Sequence, residues 1–163
     1  MNTSRLHSTR NDLNAESREK IVTLLNQHLA DTFDLYSQTK QAHWNVKGPH
    51  FFALHELFDK LAAQLADDVD TIAERATALG GTARGTARQA AAASRLPEYP
   101  LDATAGMQHV EALAVRYVAL AATCRSAIDA ASQLGDADTA DLFTEISRGL
   151  DKSLWFLESH LQA

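Results

Sequence analysis

Disulfide chemistry has almost nothing to work with in this chain: its 163 residues include one cysteine, Cys124. An intrachain disulfide framework is excluded, and a reducing compartment, the cytoplasm, is the expected setting. Three prolines and seven glycines are few, and most of them gather between residues 80 and 106, so little elsewhere interrupts a helix. No run approaches the ~18 uninterrupted apolar residues of a membrane span, and the opening MNTSRLHSTRNDLNAES is polar throughout, without the apolar stretch of a signal peptide. Neither membrane insertion nor export is expected. Net positive charge is missing as well: the formal charge of −6 excludes a general basic surface for nucleic acid, leaves only a local basic tail for that role, and favours cationic partners, metal ions among them.

What is present is helical periodicity. The length suits one domain, and 45% apolar with 22% charged residues is ordinary for a globular chain. Residues 1–14 read as a flexible arm and 15–163 as the folded domain. Ile21, Leu24, Leu25, Leu29, Thr32, Leu35 and Tyr36 recur at three- and four-residue intervals, which predicts an amphipathic helix running to about Trp44, with Glu16 and Glu19 suiting its positive end. Gly48 and Pro49 break it. A second run carries Leu54, Leu57, Phe58, Leu61, Leu65, Ile72 and Leu79 before Gly80 and Gly81 stop it. Residues 82–103 form the one long connection, in which TARQAAAASR has the composition of a short helix. Two further helices are predicted, over about 104–134 and 138–161, with Cys124 a buried small hydrophobe on the first and Trp155 in the core on the second. No segment alternates like a strand. The pattern predicts an all-α, ferritin-like four-helix bundle with a short helix in its long middle crossover.

The stretch TKQAHWNVKGPHFFALHELFD spends costly residues on a helix junction. His55 and Asp59 are four apart on the second helix, as are Asp70 and Glu74, so each pair projects from one face. The pairs share that face, because the 11 residues from Asp59 to Asp70 make about three turns, and Ala62, Ala63 and Ala66 fill the row between. His55 and Glu74 lie about 28 Å apart along a straight helix, far beyond the ~2 Å bonds of one metal site. Two antiparallel copies of the helix remove that difficulty. The numbers of both pairs, 59 with 70 and 55 with 74, sum to 129, so a single dyad near Gln64 and Leu65 makes both contacts at once. His43, folding down over the turn, would supply a second imidazole. The donor set of two His, two Asp and one Glu suits ferrous iron, with zinc, manganese and cobalt as competitors. Solvated i,i+4 pairs are the bland alternative, but Asp70 and Glu74 repel at that spacing, which fits a cation site better than a surface pair.

Two rival motifs fail. HELFD begins like the zinc-protease HExxH, but Asp59 stands where the second histidine belongs. No Glu-x-x-His occurs anywhere in the chain, so the usual di-iron centre inside one bundle is absent.

Four stretches, TKQAHWNVKG, HELFDKL, DDVDTIAERATALGG and DADTADLFTEISRGLDKSLWFLESHL, resemble the Dps family, the DNA-binding proteins from starved cells, which are miniferritins. The similarity covers nearly all of the chain after residue 9. It implies a cytoplasmic, hollow shell of twelve subunits built from two-fold dimers, oxidising Fe2+ with hydrogen peroxide, or more slowly O2, at shared sites and storing ferric mineral inside. By position, His43, His55 and Asp59 would come from one subunit and Asp70 and Glu74 from its two-fold partner. Trp44 resembles the family tryptophan that intercepts stray oxidising equivalents, with packing at a helix end as the alternative. Asp138, Asp141 and Glu145 fall where the family has its acidic three-fold pores, and Asp136 is a weaker addition; acidic residues there also complement the helix dipole.

Direct DNA binding is the least supported part of the resemblance. The arm offers Arg5 and Arg10 as its fixed cations before residue 11 and no lysine before Lys20. Twelve arms would multiply weak contacts, while twelve bodies of −6 sum to about −72 and repel phosphate. An iron-storage shell without DNA affinity, or a structural helical assembly, is the competing reading.

Overall fold

The computed structural model describes residues 6–162; Arg5 lies outside the described residues. Five helices follow one another: α1 (Ala15–Asn45), α2 (Phe51–Ala78), α3 (Ala87–Ala93), α4 (Gly106–Gln133) and α5 (Ala137–Glu158). The described residues form no strand, only an isolated parallel bridge between Lys47 and Ala105. Links of a few residues make α1 antiparallel to α2 and α4 antiparallel to α5, the two pairs pack together, and α3 lies on α1 within the long crossover. This is the expected all-α bundle.

Local chemistry sets the boundaries. Asn14 caps α1 by accepting from the Ser17 amide at 2.9 Å, and Thr86 with Gln89 makes a capping box on α3. Gly48, at φ 104°, turns the chain between α1 and α2 in a region that L side chains avoid. Inward rows from all four long helices fill the core: Ile21, Leu25, Leu29 and Leu35 meet Leu54, Phe58, Leu65 and Ile72 from α2, Leu113, Tyr117 and Leu120 from α4, and Phe143, Leu150 and Leu157 from α5. Cys124 is buried among them, as expected, and burial pushes its thiol up to about 12, so it stays protonated and unreactive at neutral pH.

Three expectations need correction. Trp155 is not core; it is 60% exposed, with its ring 5.0 Å from that of Phe156. Five residues beyond Leu150, it is turned about 140° from the inward row, whereas Leu154 and Leu157 stay near that row. Ala62 belongs to the core at 2% exposure, which leaves Ala63 and Ala66 as the small residues on the outer row of α2. Asp136 is buried as the N-cap of α5, accepting from the Thr139 amide at 3.0 Å and from Arg75 Nη2 at 2.7 Å, so it has no free face for a pore.

Much of the stretch read as an arm is docked. Leu6 and Leu13 pack against the core cluster, and the His7 amide donates to the Gly80 carbonyl at 2.7 Å. Gly80 has φ 84°, and a Cβ there would meet the His7 carbonyl oxygen at 2.6 Å, so glycine serves both the turn and the close approach. Arg18 adds a tie from α1 to the Leu79 carbonyl at 3.1 Å.

Candidate metal centre

The last four carbonyls of any α-helix lack partners within it. At the end of α1 the Lys47 amide turns away to the Thr104 carbonyl, and the His43 carbonyl is taken instead by the first turns of α2: His55 Nδ1–H donates to it at 2.9 Å. His43 returns the bond, its Nδ1–H donating to the His55 carbonyl at 2.9 Å, and the two rings stack with centroids 3.8 Å apart. A carbonyl oxygen only accepts, so each Nδ1 carries a proton, and in the neutral ring Nε2 is the nitrogen with the free lone pair. That is the tautomer a metal-binding histidine needs, fixed by backbone rather than by a carboxylate.

Asp59 completes what one chain assembles. Its Oδ1 lies 3.9 Å from His43 Nε2 and its side chain is 58% exposed. The hydrogen bond from Lys40 Nζ at 2.7 Å, and then the charge of that ammonium, hold the Asp59 carboxyl below its ordinary range, with smaller help from His43 and His55. The carboxylate is therefore ionised and ready for a cation. Asp70 and Glu74 are exposed on the outer row farther along α2, beyond Ala63 and Ala66, and are not brought to the histidines within the chain. Among the described residues no three His, Cys, Asp or Glu side chains are grouped closely enough in one chain to hold a metal ion.

The other candidates are scattered. Trp44 is 66% exposed beside the centre, with the Lys40 ammonium 5.8 Å from its ring centroid. Asp138, Asp141 and Glu145 are all exposed on the first turns of α5. Arg10 is exposed on the docked stretch.

Sequence reasoning missed Lys40, although its position three and four residues before His43 and Trp44 puts it on their helix face. It also missed Arg75, whose guanidinium ties the end of α2 to the cap of α5 through Asp136 and, at 2.9 Å, Thr139 Oγ1. Asp68 is a third: burial, with Asp67 and Glu145 nearby, pushes its carboxyl up to about 7, and its Oδ2 has no partner.

Known proteins share this fold and much of this sequence. The ferritin-like domain family matches residues 22–163. Over 156 residues the chain is 48% identical to the DNA protection during starvation protein of Agrobacterium fabrum, covering 96% of each. The chain belongs to the Dps family of ferritin-like proteins. Among solved Dps structures, DpsA14 from Streptomyces coelicolor matches with a TM-score of 0.93 at 32% identity, over 99% of this chain and 95% of that one. Mycobacterium smegmatis Dps matches at 0.92 with 27% identity, over 98% and 96% of the two chains. This Dps chain presents His55 and Asp59 on the outer row of α2, beside His43 of α1, and Asp70 and Glu74 farther along the same row.

Proposed function

We propose that this Dps protein oxidises Fe2+ with hydrogen peroxide, and more slowly with O2, at centres shared between two-fold partners, and stores the ferric product in a closed cytoplasmic shell of twelve subunits. Iron is substrate and cargo. The reciprocal His43–His55 bonds carry the reading, because they occupy both Nδ1 atoms, leave both Nε2 atoms available as ligands, and hold His43 Nε2 3.9 Å from Asp59 at the edge of the outer α2 row. A dyad near Gln64 and Leu65 would set Asp70 and Glu74 of the partner subunit against this half, and the exposed Ala63 and Ala66 leave room for the helices to approach.

At such a centre the imidazoles and carboxylates bind Fe2+, and the ionised acids favour the higher charge of Fe3+ over Fe2+. Two Fe2+ ions give one electron each to one peroxide, which with two protons becomes two waters, so no hydroxyl radical need escape. Trp44, exposed and next to His43 in the chain, would donate an electron to any oxidant that does. The exposed Asp138, Asp141 and Glu145 would draw cations toward the interior. DNA is then protected by removal of iron and peroxide.

The double variant His43→Ala/Asp70→Ala tests the centre. Peroxide-dependent Fe2+ oxidation should slow at least about 100-fold while the particle mass is unchanged, on the scale of losing metal affinity; oxidation at the native rate would refute the assignment. Direct contact with DNA rests on the exposed Arg10 together with Arg5. Retardation of DNA at low salt that is abolished by deleting residues 1–10 would support it, and free migration at low salt would leave the shell without DNA affinity.

A further inference from the structure

The shared centre proposed above has a difficulty before any iron arrives. It brings Asp59, with the partner's Asp70 and Glu74, into one small space beside two imidazoles, and like charges set against each other across an interface oppose association. Asp70 and Glu74 make no ion pair among the described residues. The cations of α2 are engaged elsewhere: the Lys60 ammonium lies 5.9 Å from the Phe156 ring centroid, and the Arg75 guanidinium is held by Asp136 at 2.7 Å. Lys40 is different. Rising from α1, it places Nζ 2.7 Å from Asp59 Oδ1, the same atom that His43 Nε2 approaches to 3.9 Å, and its side chain is only 20% exposed.

We propose that Lys40 is the resident counter-ion of the unloaded interface: its ammonium stands in for a metal cation among the carboxylates, so that two-fold partners associate without metal, and it gives way when a divalent cation binds. This rests on the two-fold centre proposed above. It assigns to Lys40 a role in assembly rather than in oxidation. The side chain has the reach for both states, since its Nζ already lies 5.8 Å from the Trp44 ring centroid, a face that accepts an ammonium once Asp59 is taken.

The test compares metal-free native protein, Lys40→Met and Lys40→Arg by sedimentation, with helicity checked by circular dichroism, at about 0.01 M and about 1 M salt, where screening lengths are about 30 Å and 3 Å. Native protein and Lys40→Arg should remain assembled at both. Lys40→Met should need at least about tenfold more protein to assemble at the lower salt. High salt, added Co2+, or a second substitution Asp70→Asn should each restore it, since each relieves the repulsion differently. Native-like assembly of metal-free Lys40→Met at low salt overturns the proposal, as does a defect that Asp70→Asn and high salt leave unrepaired. Failure of the underlying centre reads differently: native protein would then take up no Co2+ saturably in an anaerobic calorimetric titration.

Discussion

His43 and His55 each donate Nδ1–H to the other's backbone carbonyl, at 2.9 Å in both directions, so one symmetrical exchange both seals the end of α1 and fixes two ring tautomers. Structural and chemical roles are fused in the same pair. His55→Ala should therefore move two quantities by very different amounts. Losing one hydrogen bond to a partly buried helix end should lower stability by only about 1 kcal/mol. Losing a ligand nitrogen, together with the ring against which His43 stacks at 3.8 Å, should weaken Co2+ binding by about 100-fold or more. Thermal melts and anaerobic calorimetry on the same sample check both; a large stability loss with intact metal binding would contradict the ligand role.

Sharing of the centre makes a prediction about mixtures. A His55→Ala/Asp59→Ala chain and an Asp70→Ala/Glu74→Ala chain each lose every site in their own homodimers. In a mixed dimer one site collects both damaged halves and the other collects both intact halves. Unfolding and refolding the two together should return about a quarter of the native oxidation rate per subunit, because random pairing makes half of the dimers mixed and each carries one intact site of two. Additive inactivity would place all five ligands within one subunit.

The four long helices were legible because their inward rows repeat at the period of the fold, and the breakers at 48–49 and 80–81 stand where helices end. His43 and Asp59 came together as the turn at Gly48 required. Trp155 was misread because apolar character was counted without its angle from Leu150. Asp136 was misread for a related reason: an acidic residue beside Asp138 looks like part of a charged cluster until its partner, Arg75, arrives from 61 residues away. Lys40 and Asp59 are likewise separated by 19 residues, and a lysine on a helix is ordinarily a solvated surface group. Pairings that depend on helix packing are the part that composition and local spacing do not encode.

Asp136 illustrates how much such a pairing stabilises. It caps α5 through the Thr139 amide and hydroxyl while receiving the Arg75 guanidinium at 2.7 Å, and its side chain is 2% exposed. Asp136→Ala removes a cap, worth about 1 kcal/mol, and leaves a largely buried guanidinium without its anion, so the total cost should reach about 3 kcal/mol. Chemical denaturation should show it. Asp138→Ala makes the contrast: its carboxylate is 3.8 Å from Arg75 with a side chain 83% exposed, and its replacement should change stability by less than about 0.5 kcal/mol.

Acid should weaken the fold through His28, away from the metal centre. This imidazole is 2% exposed, packs 4.7 Å from the Phe143 ring, and donates its Nδ1–H to the Leu24 carbonyl at 3.0 Å, which requires the proton on that nitrogen. Its Nε2 is buried without a partner, and loss of water around the ring pulls its pKa below the ordinary value. In the unfolded chain the ring protonates near pH 6.5, while in the fold it stays neutral to lower pH. Between those values the unfolded state binds more protons, so stability is fully present above about pH 6.5 and falls as the pH drops through the folded pKa. His28→Leu removes the titrating group but keeps an apolar side chain in the pocket. The difference in unfolding free energy between native and variant protein should shift by about 1 kcal/mol in the variant's favour between pH 7.5 and pH 5.5. A difference that stays constant across that range would mean that His28 titrates alike in the folded and unfolded chains, which would contradict the lowered pKa.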